Sequence, residues 1–455
     1  MPAIATPGAT CALAHDAVTD LVRRLACHLL ALVWALVLVD LCFPHAALRA
    51  SACAGLVLFI LLVLPRASLH IRVLCLLVVG AAVAIAARSG AWGALYRGFE
   101  SSIIFGAFLP TILLLRATAE HSAFVAAMRN ENAQWRHARR CSWALDAAHA
   151  LSAILSAGAL GILRPMLPHS LPAEQRAELA ESAVRGLGLA VCWSPFFVAS
   201  AIAGQLVPGV RAWQTIVIGL ALAMIGWAVS HLMFFRGADL GGGFRGIRPL
   251  LAPIGLCVAL VALVSAATRM SGLEAIVVLM PLICGAYLGI QGAQAAADTF
   301  GRVFAGLGGL ADEIIIMSVA LVLGTAVKGL VLDGALASQA GWLAHMPVLL
   351  IGAEVALLVV AGVCGLHPMI GAALILPLAG DLNRGIADAV LAHVVVLGWA
   401  LSSTVAIWSM PVPVAGKLFD VPVRRLAMGR NAGFVLAFGA CASVALGGLN
   451  HVLPH

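Results

Sequence analysis

The chain is a succession of apolar stretches, most of them close to the length that crosses a lipid bilayer. A helix needs roughly 20 consecutive apolar residues to span the hydrocarbon. Runs near that length fall at about 27–44, 49–65, 70–87, 98–115, 146–164, 186–206, 213–235, 249–267, 272–290, 310–331, 347–364, 387–415 and 432–449, with a shorter one at 367–380. Only 10% of the 455 residues are charged and 62% are hydrophobic, whereas a soluble domain carries about 25% charged residues. So few charges cannot build a water-facing shell, and lipid must solvate most of the surface. The net charge of +7 does not mark a nucleic-acid partner, because the basic residues sit in short connections between apolar runs. The eleven cysteines are scattered singly. With no CxxC pair or Cys/His cluster they support neither a disulfide framework nor a zinc site.

Residues 1–26 are weakly apolar and end in Arg23-Arg24 ahead of the run Ala26–Phe43. They are expected to be a cytoplasmic N-terminus followed by an uncleaved first span, in a bacterial-type inner membrane.

The stretch 367–380 begins at Pro368 and is too short to cross alone. The tight link Cys364-Gly365-Leu366-His367-Pro368 joins it to 347–364, so the pair 347–380 reads as a re-entrant hairpin. Charge then tests the stretch at 146–164. Treated as an ordinary span, it leaves Lys and Arg evenly divided between the two faces. Treated as a second hairpin near 146–168 that dips in from the cytoplasm, it places nineteen inside, including Arg139, Arg140, Arg185, Arg245 and Arg302, and seven outside. Cytoplasmic loops carry the excess of Lys and Arg, which selects the hairpin.

An internal repeat agrees. Residues 157–167 read AGALGILRPML and 361–370 read AGVCGLHPMI; proline-broken segments follow each, AVCWSPFFVASAIAGQLVPGV at 190–210 and VAIWSMPVPVAGKLFDVPV at 405–423. Upstream, GFESSIIFG at 98–106 loosely matches LADEIIIMS at 310–318. The expected fold is all-α and polytopic, with about eleven transmembrane helices plus two re-entrant hairpins in inverted-topology repeats. Its parts are the N-terminus 1–26, a first membrane repeat over 27–235, a glycine-rich basic cytoplasmic linker over 236–248, and a second repeat over 249–455.

Irregular backbone at membrane depth survives only where protein or a water-filled cavity surrounds it. The places expected to be irregular are the two hairpin tips, Trp193-Ser194-Pro195, and Ser402 through Pro413. Proline opens a helix well because its missing N–H is not needed there; Pro165 and Pro368 are expected to start the second hairpin arms, and Pro195 and Pro411 the second halves of the broken spans. Free N–H groups at such half-helix starts attract anions. Ser194, Ser402, Ser403, Thr404 and Ser409 offer hydroxyls for a carboxylate or sulfonate, or oxygens for a sodium ion; equally, serines bond back into their own helices. His367 stands at a tip, where its ring binds an anion, carries a proton or answers a local carbonyl. Glu354 within the second hairpin, and Glu100 and Glu313 near span entrances, complete the ion-coupling candidates. No nucleophile elbow, P-loop or HExxH motif occurs, so no enzyme activity is expected.

The two hairpins followed by broken helices, with Gly365-Leu366-His367-Pro368-Met369 and the WSP and WSMP segments, resemble the ion transporter superfamily, which includes divalent-anion:sodium symporters, C4-dicarboxylate carriers and the large membrane subunits of TRAP systems. The resemblance implies inverted repeats, a homodimer, elevator-type movement and a substrate site at the tips and breaks. On that pattern Gly158, Gly161, Ser194, Gly365, His367, Ser402, Ser403 and Ser409 line the site. The Ser-Asn-Thr tip motif of the symporters occurs at neither tip, which leaves both sodium and proton coupling open. The expected function is secondary transport of a small organic anion driven by a proton or sodium gradient, with no cofactor beyond that ion. The alternatives are a TRAP-like subunit that needs partner proteins, and a membrane-embedded enzyme or structural subunit of an envelope complex.

Overall fold

The computed structural model describes residues 7–119, 136–167, 171–235, 240–268, 270–328, 341–380 and 382–453, the side chains of 7–20 and 240–251 excepted. Its described elements are all helical. In chain order they are α1 Pro7–Cys42, α2 Ala46–Val63, α3 Leu69–Ser89, α4 Trp92–Glu100, α5 Phe105–Ala119, α6 His137–Leu155, α7 Gly158–Leu163, α8 Ala173–Val191, α9 Val198–Leu206 and α10 Ala212–Phe234. There follow α11 Leu240–Thr268, α12 Gly272–Gln291, α13 Ala293–Gly306, α14 Ala311–Lys328, α15 Pro347–Val363, α16 Pro368–Leu378, α17 Asp388–Val405, α18 Pro411–Phe419, α19 Val423–Met428 and α20 Arg430–Asn450. Among the described residues, nine helical segments are long and apolar enough to cross a membrane. Leu76, Leu77, Ile290 and Leu436 turn most of their surface outward from such segments, as lipid-facing side chains do. The chain is built as a multi-pass helical membrane protein.

Local chemistry sets the helix ends. Pro347, Pro368 and Pro411 each occupy a first helical turn, where a missing N–H costs nothing. The Ser68 hydroxyl accepts from the Ile71 amide to cap α3, which ends at Gly90 with φ +68°; glycine takes that backbone without steric penalty.

Two compact units divide the chain, residues 1–117 with 280–329 and residues 118–279 with 330–455. Each therefore draws on both of the expected sequence repeats. In the first unit α4 lies close against α14: Gly98 faces Leu321, Val322 and Thr325, with no room for a Cβ, and the Thr325 hydroxyl donates to the Ala94 carbonyl at 2.9 Å. In the second unit the same order of elements occurs twice. A long helix turns into a short one (α6–α7; α15–α16), and a second long helix breaks and resumes (α8–α9; α17–α18).

Several expectations are corrected. Helix already runs from Pro7, well before the apolar stretch at 27. The stretch 98–115 is interrupted at 101–104 between α4 and α5. The amphipathic α13 was not anticipated, because its Gln294, Asp298 and Arg302 dilute the apolar signal. Residues 240–248 of the expected linker are helical, the start of α11, while 236–239 fall outside the described residues. Arg185 is not a loop residue but a fully buried side chain within α8. The first hairpin turns at Ser156-Ala157, and Arg164-Pro165 lie in a 3-10 turn beyond α7. Pro165 therefore does not open the returning arm, whereas Pro368 does; likewise Pro195 lies in the break ahead of α9, which starts at Val198, whereas Pro411 opens α18.

Candidate functional site

The second unit holds both long–short helix pairs and both interrupted helices, and they pack crosswise. Beyond the first break, α9 lies against α16 and α17; beyond the second, α18 lies against α7 and α8. Glycines permit the close crossings. Gly186 of α8 backs onto the Leu145 carbonyl of α6, Gly188 faces Ala400 and Thr404 of α17, Gly362 of α15 faces the Ser402 hydroxyl, and Gly398 of α17 faces Leu358 of α15. A Cβ at any of these would displace a neighbour, so the glycines are what let the helices approach this closely.

Both breaks are tied by serine hydroxyls. Ser194 donates to the Ala153 carbonyl of α6 and accepts from the Phe196 amide at 3.3 Å, while Ser200 donates to the Ser194 carbonyl at 2.9 Å. At the second break Ser409 reaches the carbonyls of Ser403 (2.9 Å) and Ala406 (2.7 Å). Ser403 and Thr404 bond back to the Ala400 carbonyl of their own helix. Ser402 differs: its hydroxyl is buried with no partner among the described residues.

The tips are irregular. Ser156 takes φ +51° and Gly365 φ +94°. Gly158 and Gly161 sit on the exposed side of α7, with open space where a Cβ would stand. His367 caps α16, its Nδ1 accepting from the Met369 amide at 3.4 Å, and its ring meets Trp399 edge-on with centroids 5.3 Å apart. Gly365 abuts Trp408. On the first hairpin, Trp193 Nε1 donates to His149 Nε2 at 2.7 Å.

A cavity of about 720 Å³ is lined from Pro195 along α9, past Ser200 and Gln205, to Arg211 and the starts of α10 and α12. That volume suits a small ligand, and the half-helix and helix starts around it present N–H groups. Pro195 is the only one of the sequence-derived site residues on its lining. The tip glycines, His367, Pro368 and the Ser402–Ser409 group lie elsewhere in the same unit. Glu354 is there too, buried on α15. Glu100 at the end of α4 and Glu313 in the first turn of α14 belong to the other unit.

Sequence reasoning missed three groups. Asp146 of α6 is buried and accepts from Trp227 Nε1 at 2.8 Å; its signal was an acid inside an apolar stretch. Arg185 directs its donors at Ser230 (3.1 Å), Asn431 (3.0 Å) and Ser182 (3.0 Å) and stacks on Phe234. His137, Cys141 and Glu178 bring ligand atoms within 4.8 Å of one another, a Cys/His grouping the sequence did not reveal because α8 supplies its third member. Arg430 donates to the other oxygen of Glu178, so the cluster is already part of an ion pair. No family model and no curated protein matches the chain.

Proposed function

We propose that the chain is a secondary transporter of a small organic anion, of carboxylate or sulfonate type, driven by a proton or sodium gradient. In this reading about eleven helices span a bacterial-type inner membrane with the N-terminus in the cytoplasm. The α6–α7 and α15–α16 pairs are re-entrant hairpins entering from opposite faces, and the two four-helix series are inverted repeats. A homodimer and elevator-type movement of the second unit follow from the resemblance to the ion transporter superfamily.

The observation that carries the reading is the cavity ending on the first helix break. It reaches irregular backbone at Pro195 inside an apolar unit and has Arg211, Gln205 and Ser200 on its wall. Broken backbone beside a cavity is where a helical membrane protein can bind a polar solute. A cation, an amide and helix starts around it favour negative charge. A TRAP-like subunit would share the geometry but would need partner proteins to move solute. An enzyme would need acids or histidines clustered on the cavity wall, where Glu274 is the one titratable acid and is engaged in capping α12 through Ser271.

The test is uptake of labelled carboxylates and sulfonates by proteoliposomes containing only this chain, under imposed sodium or proton gradients. Gradient-dependent uptake, with Arg211→Gln raising KM at least tenfold, supports the reading. No uptake of any such anion under either gradient overturns it.

A further inference from the structure

The long arms of the two hairpins each carry one acid, at the same place. Asp146 lies nine residues before Leu155, the last of α6, and Glu354 nine residues before Val363, the last of α15. At 1.5 Å per residue each carboxyl stands about 13 Å down its arm from the tip. Both are buried, Asp146 at 3% exposure and Glu354 at 4%. Each accepts a single side-chain hydrogen bond from a neighbouring element, Asp146 Oδ1 from Trp227 Nε1 and Glu354 Oε1 from Asn383 Nδ2, both at 2.8 Å. In each the second oxygen, Oδ2 or Oε2, is buried with no partner among the described residues.

Among the described residues, no cation forms an ion pair with either carboxyl. On the side of Asp146, α6 itself brings His149, and α10 brings Trp227 and His231. The His231 nitrogens are turned to Ser142 (3.1 Å) and the Trp227 carbonyl (2.9 Å). Arg185 on α8 has its donors on Ser230, Asn431 and Ser182, with Glu181 one turn before it. From α11, packed on α6, residues 252–268 bring Cys257 as the one titratable group. Around Glu354, the 3-10 turn Leu382–Gly385 brings Asn383 and Arg384. Asp388 and His393 come from α17, with both His393 nitrogens on the Ala389 and Thr215 carbonyls. Arg430 and Cys441 are on α20, the 3-10 turn Gly341–His345 packed on α15 brings His345, and α16 has no titratable side chain. No ion pair among the described residues reaches either carboxyl.

A carboxylate buried with one neutral donor and one unanswered oxygen must be neutralised by a proton or a bound cation. A sodium ion needs several oxygens around it, whereas the group against Asp146 is an indole N–H. A proton needs only the free oxygen. We infer that Asp146 and Glu354 are a matched pair of proton-carrying carboxyls, one per repeat, that couple movement of the second unit to a proton gradient. The proton adds to Oδ2 or Oε2, converting carboxylate to carboxylic acid, and leaves to water when the arm is exposed. At Glu354 the carbonyl oxygen of Asn383, buried and unpartnered among the described residues, is an acceptor for that new O–H. The inference rests on the transport reading and chooses between its two coupling ions.

The test needs no substrate. The full chain is placed in phosphatidylethanolamine–phosphatidylglycerol vesicles, and infrared difference spectra follow the carbonyl stretch of protonated carboxyls across an acid-to-alkaline titration. Wild type minus Asp146→Asn, and wild type minus Glu354→Gln, are each expected to show one titrating carboxylic-acid band, and Asp146→Glu to retain a displaced one. If the Asn variant does not fold, the displacement in Asp146→Glu carries the result. Spectra unchanged by the substitutions, or a band removed by sodium at constant pH, overturn the proton assignment. Such a failure leaves anion uptake intact, whereas bands without uptake remove the transport reading alone.

Discussion

Trp193 Nε1 donates to His149 Nε2 at 2.7 Å, and this bond fastens the first helix break to the long arm of the first hairpin. The second hairpin has its own histidine–tryptophan contact, His367 against Trp399, made through ring edges rather than a hydrogen bond. The first assembly is thus held by a directional bond whose partners are both half-buried, and the second by shape.

His149→Ala leaves the indole N–H without its acceptor, which costs about 1–3 kcal/mol when the group stays buried. Trp193→Phe strands the acceptor nitrogen of His149 instead, a cost of the same kind. Thermal unfolding in detergent should place both variants below wild type, with the double variant costing less than the sum of the two; equal melting of wild type and both single variants would show that the bond is not formed.

The tips make opposite predictions for glycine. Ser156 adopts φ +51°, a left-handed backbone that costs a residue with a Cβ on the order of 1–3 kcal/mol. Ser156→Gly should therefore raise the melting temperature. Gly365 already answers the same problem at φ +94°, and Gly365→Ala should lower it, while also pressing a methyl toward Trp408. Paired melting curves check the sign of both changes.

Arg185 joins α8 to α10 and α20 through Ser230 and Asn431. Its fork serves three oxygens at once, which the single ammonium of lysine cannot do in the same geometry. Arg185→Lys should destabilise the protein nearly as much as Arg185→Met, each leaving buried partners unanswered at about 1–3 kcal/mol apiece. Full rescue by lysine, measured by unfolding in detergent, would show that charge alone is what the site needs.

Helix positions were legible because apolar runs of span length leave little choice. The second hairpin tip was legible as well, since Gly365 and Pro368 are a left-handed turn residue and a helix starter in sequence. The first tip was misplaced by eight residues toward Arg164-Pro165: its actual turn, Ser156-Ala157, contains neither glycine nor proline and is held by the packing of α6 and α7. Asp146 and His149 went unread because an isolated polar residue in an apolar stretch does not reveal its partner. Trp227 and Trp193 lie 81 and 44 positions further along the chain. Arg185 was counted with the loops because charge inside a helix is visible only when Ser230 and Asn431 are brought to it.

The central claim is that α6–α7 and α15–α16 each enter and leave on one face, and that the two faces are opposite. It is tested by single cysteines at Ala138→Cys and Ala173→Cys, which flank the first pair, and at Met346→Cys and Gly385→Cys, which flank the second, in a background with the native cysteines replaced by alanine. All four positions are exposed. A membrane-impermeant thiol reagent applied to intact cells and to inverted vesicles should label 138 and 173 from the cytoplasmic side alone and 346 and 385 from the outer side alone. Labelling of 138 and 173 from opposite sides, or of 346 and 385 from opposite sides, would contradict the account.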